Sequence, residues 1–255
     1  MQIIALFGPT GVGKTEVALA LAERLKAGGE EHPVAVSADA LQVYEGLETL
    51  TGVASPAEQA KLEHRLVSFV PLDATFSAGQ YAKLAHAEID GLLAAGRRPI
   101  VVGGTGLYLR AALSDLDFKP PPPGGPSQLW SEDMRRPTLL VGLTMEREAL
   151  YARIDARVDE MLAAGAREEV RRAYAAGASQ TARKALGFEE LLAGDVEAMK
   201  RHTRNYARRQ LTWMRKLAGV RTIDMDDRDP GDVAHEILSG RGAGPPAGGH
   251  PAVGR

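Results

Sequence analysis

Apolar residues fill positions 3–7 without a break (Ile3-Ile4-Ala5-Leu6-Phe7) and stop at Gly8. A short run of this kind predicts a strand buried on both faces. From Lys14 the pattern turns amphipathic and predicts a helix over 14–27, stopped by Gly28-Gly29. The alternation then repeats. Residues 34–36 predict a second buried strand leading into Ser37-Ala38-Asp39, 55–63 a helix, and 66–70 a strand. Ser77 is placed to cap a helix to about residue 95, with Tyr81, Leu84, Ala85, Ile89, Leu92 and Leu93 as its core face. Residues 99–102 predict a further strand, ending at Gly103-Gly104. Strands alternating with helices imply a mostly parallel sheet covered on both faces.

The pattern breaks at 117–128, where Pro120–Pro123 are followed by Gly124, Gly125 and Pro126; this reads as a linker. A strand resumes at 139–143. Residues 146–217 read as almost wholly helical, 220–225 as a last strand and 230–238 as a last helix. Residues 240–255 hold nine Gly or Pro and are expected to be disordered.

Between the first strand and the first helix, Gly8-Pro9-Thr10-Gly11-Val12-Gly13-Lys14-Thr15 fits G-x-x-x-x-G-K-[ST]. Glycines let a backbone wrap a phosphate, and the loop and helix-start amides point at it. Lys14 adds a point charge, and the Thr15 hydroxyl can hold Mg²⁺. The loop predicts binding of a pyrophosphate-like group, not hydrolysis of ATP. A nucleotide hydrolase usually ends an apolar strand in a metal-holding Asp, whereas the 99–102 strand ends in Gly103-Gly104-Thr105. The strand-end Asp is Asp39. It can hold a metal, act as a base opposite the phosphate loop, or simply cap a turn. Ligands in such folds sit beyond the carboxyl ends of the strands, where the phosphate loop, Asp39 and Thr105 converge. The fold class is therefore α/β, a P-loop NTPase-like parallel sheet flanked by helices with a helical C-terminal part. The divisions are a core over 1–114, a Pro/Gly-rich linker over 115–137, the rest of the core and helical part over 138–239, and a tail over 240–255.

Composition changes this picture little until charge is mapped along the chain. The 255 residues carry a net charge of −2, with 44% hydrophobic residues, 25% charged residues and no cysteine. A disulfide scaffold, a Cys-type zinc site and a thiol nucleophile are excluded. No targeting or membrane-spanning run is visible, so the chain reads as cytoplasmic, and we expect a monomer. Residues 199–217, however, hold seven Lys or Arg and no acidic residue, leaving −9 for the remainder. Arg201, Arg204, Arg208 and Arg215 share one helical face, opposite Met199, Tyr206, Trp213 and Leu217. Such a run repels itself without an anionic partner, which favours nucleic-acid phosphate over the alternative reading, a plain solvated helix surface.

Taken in order, several stretches resemble the bacterial tRNA dimethylallyltransferase (tRNA isopentenyltransferase) family. They are Gly8–Thr15, Ser37-Ala38-Asp39-Ala40-Leu41-Gln42-Val43-Tyr44-Glu45-Gly46, His64-Arg65-Leu66, Phe76-Ser77-Ala78 and Val102-Gly103-Gly104-Thr105-Gly106-Leu107-Tyr108. Arg153–Leu162, Ala185-Leu186-Gly187-Phe188-Glu189-Glu190 and Thr203–Trp213 complete the set. The resemblance implies transfer of a dimethylallyl group from dimethylallyl diphosphate to N6 of the adenosine just 3′ of the anticodon. It makes the phosphate loop (Gly8, Pro9, Thr10, Gly11, Val12, Gly13, Lys14, Thr15), Mg²⁺ on Thr15, and Arg157 the holders of the diphosphate. Asp39 becomes the general base and Thr105 a further holder of the diphosphate or the base. Asp39, Ala40, Leu41 and Gln42 would contact the adenine and its neighbours. Lys184, Gly187, Arg204 and Arg208 would contact the anticodon arm.

Two departures stand out. The family's Thr-Ala-Lys-Pro reads here Thr51-Gly52-Val53-Ala54, without the Lys. The family's helical insertion before the Arg153 helix is replaced by about residues 115–136. Prenyl transfer to a free adenine nucleotide, a P-loop small-molecule kinase and a non-catalytic RNA-binding protein share parts of the same pattern.

Overall fold

The structure, a computed structural model, describes residues 1–118 and 128–240. The expected Pro/Gly linker (its residues 119–127) and the expected disordered tail (241–255) lie outside the described residues. In chain order the first part comprises β1 (Ile3–Phe7), α1 (Lys14–Ala27), β2 (Val34–Ser37), α2 (Glu48–Thr51), α3 (Pro56–Lys61), β3 (Glu63–Arg65), α4 (Ala78–Ala94), β4 (Pro99–Gly103) and α5 (Gly106–Leu113). The second comprises β5 (Thr138–Thr144), α6 (Arg147–Ala163), α7 (Ala166–Ala175), α8 (Phe188–Ala193), α9 (Val196–Met214), β6 (Arg221–Asp224) and α10 (Pro230–Ser239).

The strands form one parallel sheet in the order β3-β2-β4-β1-β5-β6. β1 lies between β4 and β5, and all five of its side chains are buried, as its unbroken apolar run requires. Ile4 and Leu6 face a core shared with α1, α6 and α10; Ile3, Ala5 and Phe7 face one shared with α4 and α5. A third core joins α2, α6, α7, α8 and α9 through Leu50, Val158, Val170, Phe188 and Met199. The helical part is thus packed against the loop that follows β2. Among the described residues no helix is long and apolar enough to cross a membrane.

Three expectations are corrected. The strand expected at 66–70 is instead β3, at Glu63–Arg65. Leu66 and Ser68 adopt left-handed backbone (φ 59° and 46°), and Val70 makes only an isolated bridge to Tyr44. β3 is an edge strand whose Glu63 and Arg65 pair with each other and with Arg97 and Glu88, so its polar residues hid it. Leu84 does not belong to the core face of α4, being 41% exposed. α9 ends at Met214, so Arg215 lies past the helix that was to carry it.

α2 was not legible, because four residues carry no helical period. Its start is held from a distance. The Glu169 carboxylate, 6% exposed, accepts the Thr49 and Leu50 N–H groups at 2.9 and 2.7 Å. This satisfies two donors that a helix start cannot satisfy internally. Glu169→Ala leaves both without their acceptor and should cost about 1–3 kcal/mol of stability. A lowered urea midpoint at unchanged m-value is the expected result.

Candidate active site

The phosphate loop joins β1 to α1. Gly11 and Gly13 take left-handed backbone (φ 81° and 104°), where a side chain would be strained. Val12 is fully buried in the core and pins the loop from below. The Lys14 ammonium donates to the carbonyls of Gly8 and Pro9 at 3.0 and 2.9 Å. The Thr10 N–H donates to Oε1 of Gln210 at 2.9 Å.

Asp39 stands two residues past β2. Its Oδ1 accepts the Leu41 N–H at 2.9 Å, an Asx turn that orients the carboxylate. Gly103 admits the close approach of this turn, since a Cβ there would strike the Ala38 carbonyl. Thr105 occupies the N-cap position of α5 without capping it; its hydroxyl accepts the Ala40 N–H at 3.4 Å and meets the Tyr206 hydroxyl at 3.3 Å. The Gln42 side chain is committed to protein: it accepts from the Ser37 hydroxyl at 2.9 Å and donates to the carbonyls of Thr51 and Gly52. Arg157 reaches in from α6 and lies against Gly52, where any Cβ would collide with its guanidinium. No hydrogen bond or ion pair engages Arg157 among the described residues.

These groups surround a cavity of about 500 Å³, lined by Lys14, Thr15, Asp39, Arg157, Tyr206 and Gln210 among others. Burial pushes the Lys14 ammonium down to about 8, and the Arg157 charge pushes the same way against Asp39 and Glu16. Burial also raises the Asp39 carboxyl, opposed by the Leu41 N–H, Lys14, the Gln42 N–H and Arg157. Burial lifts Tyr206 to about 12, so its hydroxyl stays protonated. Two cations and the loop therefore line one cavity with a carboxyl whose proton affinity is raised by burial. This arrangement can bind a doubly charged anion and take a proton beside it.

The proposed RNA-facing residues are distributed less evenly. Lys184 is exposed on a 3-10 turn and lines a second cleft, of about 330 Å³, with Arg183, His202, Asn205 and Arg209. Gly187 is buried, its Cα covered by Met199. Arg208 is exposed, next to Asn205. Arg204 is half-buried and paired with Asp155 at 2.6 Å, and Lys200 pairs with Asp159 at 2.7 Å. Part of the repulsion inferred for the basic run is thus met by acidic residues of α6. Ala40 and Leu41 are half-buried, and Leu41 borders the cavity. Arg153 pairs with Glu16 at 3.6 Å. Sequence reasoning missed Gln210 and Tyr206 as parts of the site. The signal for Gln210 was a polar residue spaced with Thr203, Ala207 and Met214 on the buried face of α9.

The family model described as IPP transferase matches residues 42–135 and 126–217. The tRNA dimethylallyltransferase of Geobacillus kaustophilus is 33% identical over 293 aligned positions, covering 89% of this chain and 91% of that protein. The chain belongs to the IPP transferase family. A tRNA dimethylallyltransferase of Rhodospirillum centenum is 37% identical, covering 88% of this chain and 92% of its own length. Among solved IPP transferases, the full-length tRNA isopentenylpyrophosphate transferase of Bacillus halodurans superposes with a TM-score of 0.79 at 27% identity, covering 93% of this chain and 96% of that one.

The Lys14 shift has a measurable consequence for anion binding. With the ammonium lowered to about 8, its charge is present below that pH and lost as pH rises through it. The affinity for inorganic pyrophosphate, measured by calorimetry from pH 6.5 to 9.5, should fall above pH ~8 relative to Lys14→Met. The variant supplies the correction for pyrophosphate's own ionisation. A constant ratio between the two proteins contradicts the assignment.

Proposed function

We propose that the chain transfers the dimethylallyl group of dimethylallyl diphosphate to N6 of the adenosine 3′ of the anticodon in tRNA. The observation that carries the reading is one cavity in a family-matched chain that sets Lys14, Thr15 and Arg157 across from Asp39. The N6 amine attacks C1 of the dimethylallyl group as the C1–O bond breaks, and the electron pair leaves with the diphosphate. Lys14, Arg157 and the N–H groups at the start of α1 stabilise that departing charge. The amine's proton passes to Asp39, whose carboxyl burial makes it a stronger base than an ordinary Asp. Thr105, held by the Ala40 N–H and Tyr206, fixes the wall between base and donor.

Magnesium fits this site through one protein ligand. The Thr15 hydroxyl lines the cavity beside Lys14, and no cluster of three acidic or His residues competes among the described residues. Such an ion would take its other ligands from water and diphosphate oxygens and would neutralise negative charge on the donor.

Ala40, Leu41, Lys184 and Arg208 are read as the RNA-facing set, with Arg204 acting through Asp155, while the buried Gly187 would act only by shaping the turn that follows Lys184. The target adenine has to leave its stack, which costs least in a single-stranded loop. Alignments of 293 positions exceed the 255-residue chain, so the relatives carry residues that it lacks. The two stretches of the family match meet at 126–135, which supports placing that difference in the connection after α5. The far end of that connection is anchored by Arg110 of α5, 1% exposed, whose guanidinium donates to the carbonyls of Gln128 and Asp133.

Incubation with dimethylallyl diphosphate, Mg²⁺ and unmodified tRNA should yield N6-isopentenyladenosine in the anticodon loop by mass spectrometry; no product at any enzyme concentration refutes the reading. Product on free AMP in preference to tRNA would reassign the acceptor. Asp39→Ala should lower kcat at least ~10²-fold while pyrophosphate affinity stays within a few-fold. In the wild type, kcat should decline as pH falls, beginning above the ordinary carboxylate range, because the raised Asp39 is then protonated.

A further inference from the structure

Gln210 occupies the buried face of α9 and is only 4% exposed. A buried amide is costly unless its hydrogen-bonding groups find partners. Here the two ends of the amide bind two different loops. Oε1 accepts the Thr10 N–H of the phosphate loop at 2.9 Å, and Nε2 donates to the Gly104 carbonyl at 2.8 Å. The phosphate loop follows β1, and Gly104 follows β4 and leads directly to Thr105. No other hydrogen bond joins these two loops beyond the β1–β4 ladder among the described residues. Gly104 is shaped for the contact, since a Cβ would collide with the Gln210 amide. One turn earlier on the same helix, the Tyr206 hydroxyl meets Thr105 Oγ1 at 3.3 Å.

We propose that Gln210 is a positioning residue that sets the spacing of the phosphate loop and the Gly104–Thr105 loop, and through it the affinity for the prenyl diphosphate. Although it lies in the basic segment of the chain, its amide points away from the RNA-facing surface and into the diphosphate site. The claim rests on the reading of the donor as a diphosphate. Within the loop the Thr10 N–H is taken by Gln210 and the Val12 N–H turns back to the Pro9 carbonyl at 3.4 Å, so Gln210 fixes one of the two loop amides that protein groups hold. A displacement of about 1 Å in such a cradle is enough to cost on the order of 10²-fold in rate.

The experiment compares wild type, Gln210→Leu and Gln210→Glu. Gln210→Leu should weaken inorganic pyrophosphate and raise the KM for dimethylallyl diphosphate about tenfold or more, with the KM for tRNA within about twofold. A residue serving RNA binding gives the reverse pattern. Gln210→Glu supplies a readout that a merely structural role would not move. Its carboxylate cannot donate to the Gly104 carbonyl, but its protonated form is isosteric with the amide. Its donor kcat/KM, divided by that of wild type, should therefore rise as pH is lowered from 8.5 to 5.5, while the ratio for Gln210→Leu stays flat. Dividing by wild type removes the titration of Lys14, Asp39 and Tyr206, which face the same cavity.

If Gln210→Leu does not fold, Gly104→Ala tests the contact from the other side. It should weaken pyrophosphate in the wild type and cost less in a Gln210→Ala background. Unchanged pyrophosphate affinity in Gln210→Leu, a shift confined to the KM for tRNA, a flat ratio for Gln210→Glu, or additive effects of Gly104→Ala and Gln210→Ala would each overturn the proposal. If wild type transfers no prenyl group, the functional reading fails, and the pyrophosphate measurements still decide the role of Gln210.

Discussion

Lys14 and Arg157 bring two positive charges to one partly desolvated space, and the rest of the site is arranged around the cost of holding them there. Like charges repel more strongly when water is excluded, and desolvation penalises each separately. Asp39 offsets part of this, as the opposing effects on Lys14 and Asp39 record. The same conflict equips the site for its ligand. In the proposed reaction a diphosphate would supply the missing negative charge, and Asp39 would stand beside the cations as the base.

That balance survives only if the three groups cannot drift apart, and they come from distant parts of the chain. Lys14 is fixed by β1 and the buried Val12, Asp39 by the end of β2, and Arg157 by α6. The C-terminal helices are thus a wall of the cavity. α6 supplies Arg157, α9 supplies Tyr206 and Gln210, and Glu169 of α7 secures the short α2 whose end supports Gln42 and Arg157. Four glycines mark close meetings of different elements: Gly52 under Arg157, Gly103 against Ala38, Gly104 against Gln210 and Gly106 against Trp213.

The charge distribution follows the same division of labour. The net charge of −2 conceals a basic segment on an acidic remainder. The fold then neutralises part of that segment internally, through Asp155 and Asp159, and leaves Arg201, Arg208 and Arg215 exposed. A surface of this kind suits contact with one arm of an RNA more than general coating of nucleic acid.

Sequence alone determined the elements whose local signal is strong. β1, α1, β2, α4 with its Ser77 cap, β4 and β5 stand where apolar runs, helical spacing and glycine stops predicted them. The conformation of the Gly8–Thr15 loop was equally legible, because its left-handed glycines set a backbone geometry contained within eight residues. β3 and α2 were not, since each is set by a partner far away in the chain: an edge pairing with β2 and the Glu169 carboxylate. The pairings of Arg204 with Asp155 and of Gln210 with Thr10 and Gly104 were decided by tertiary structure for the same reason. A charge or an amide has no fixed meaning until the fold selects which of many possible partners lies within hydrogen-bonding distance.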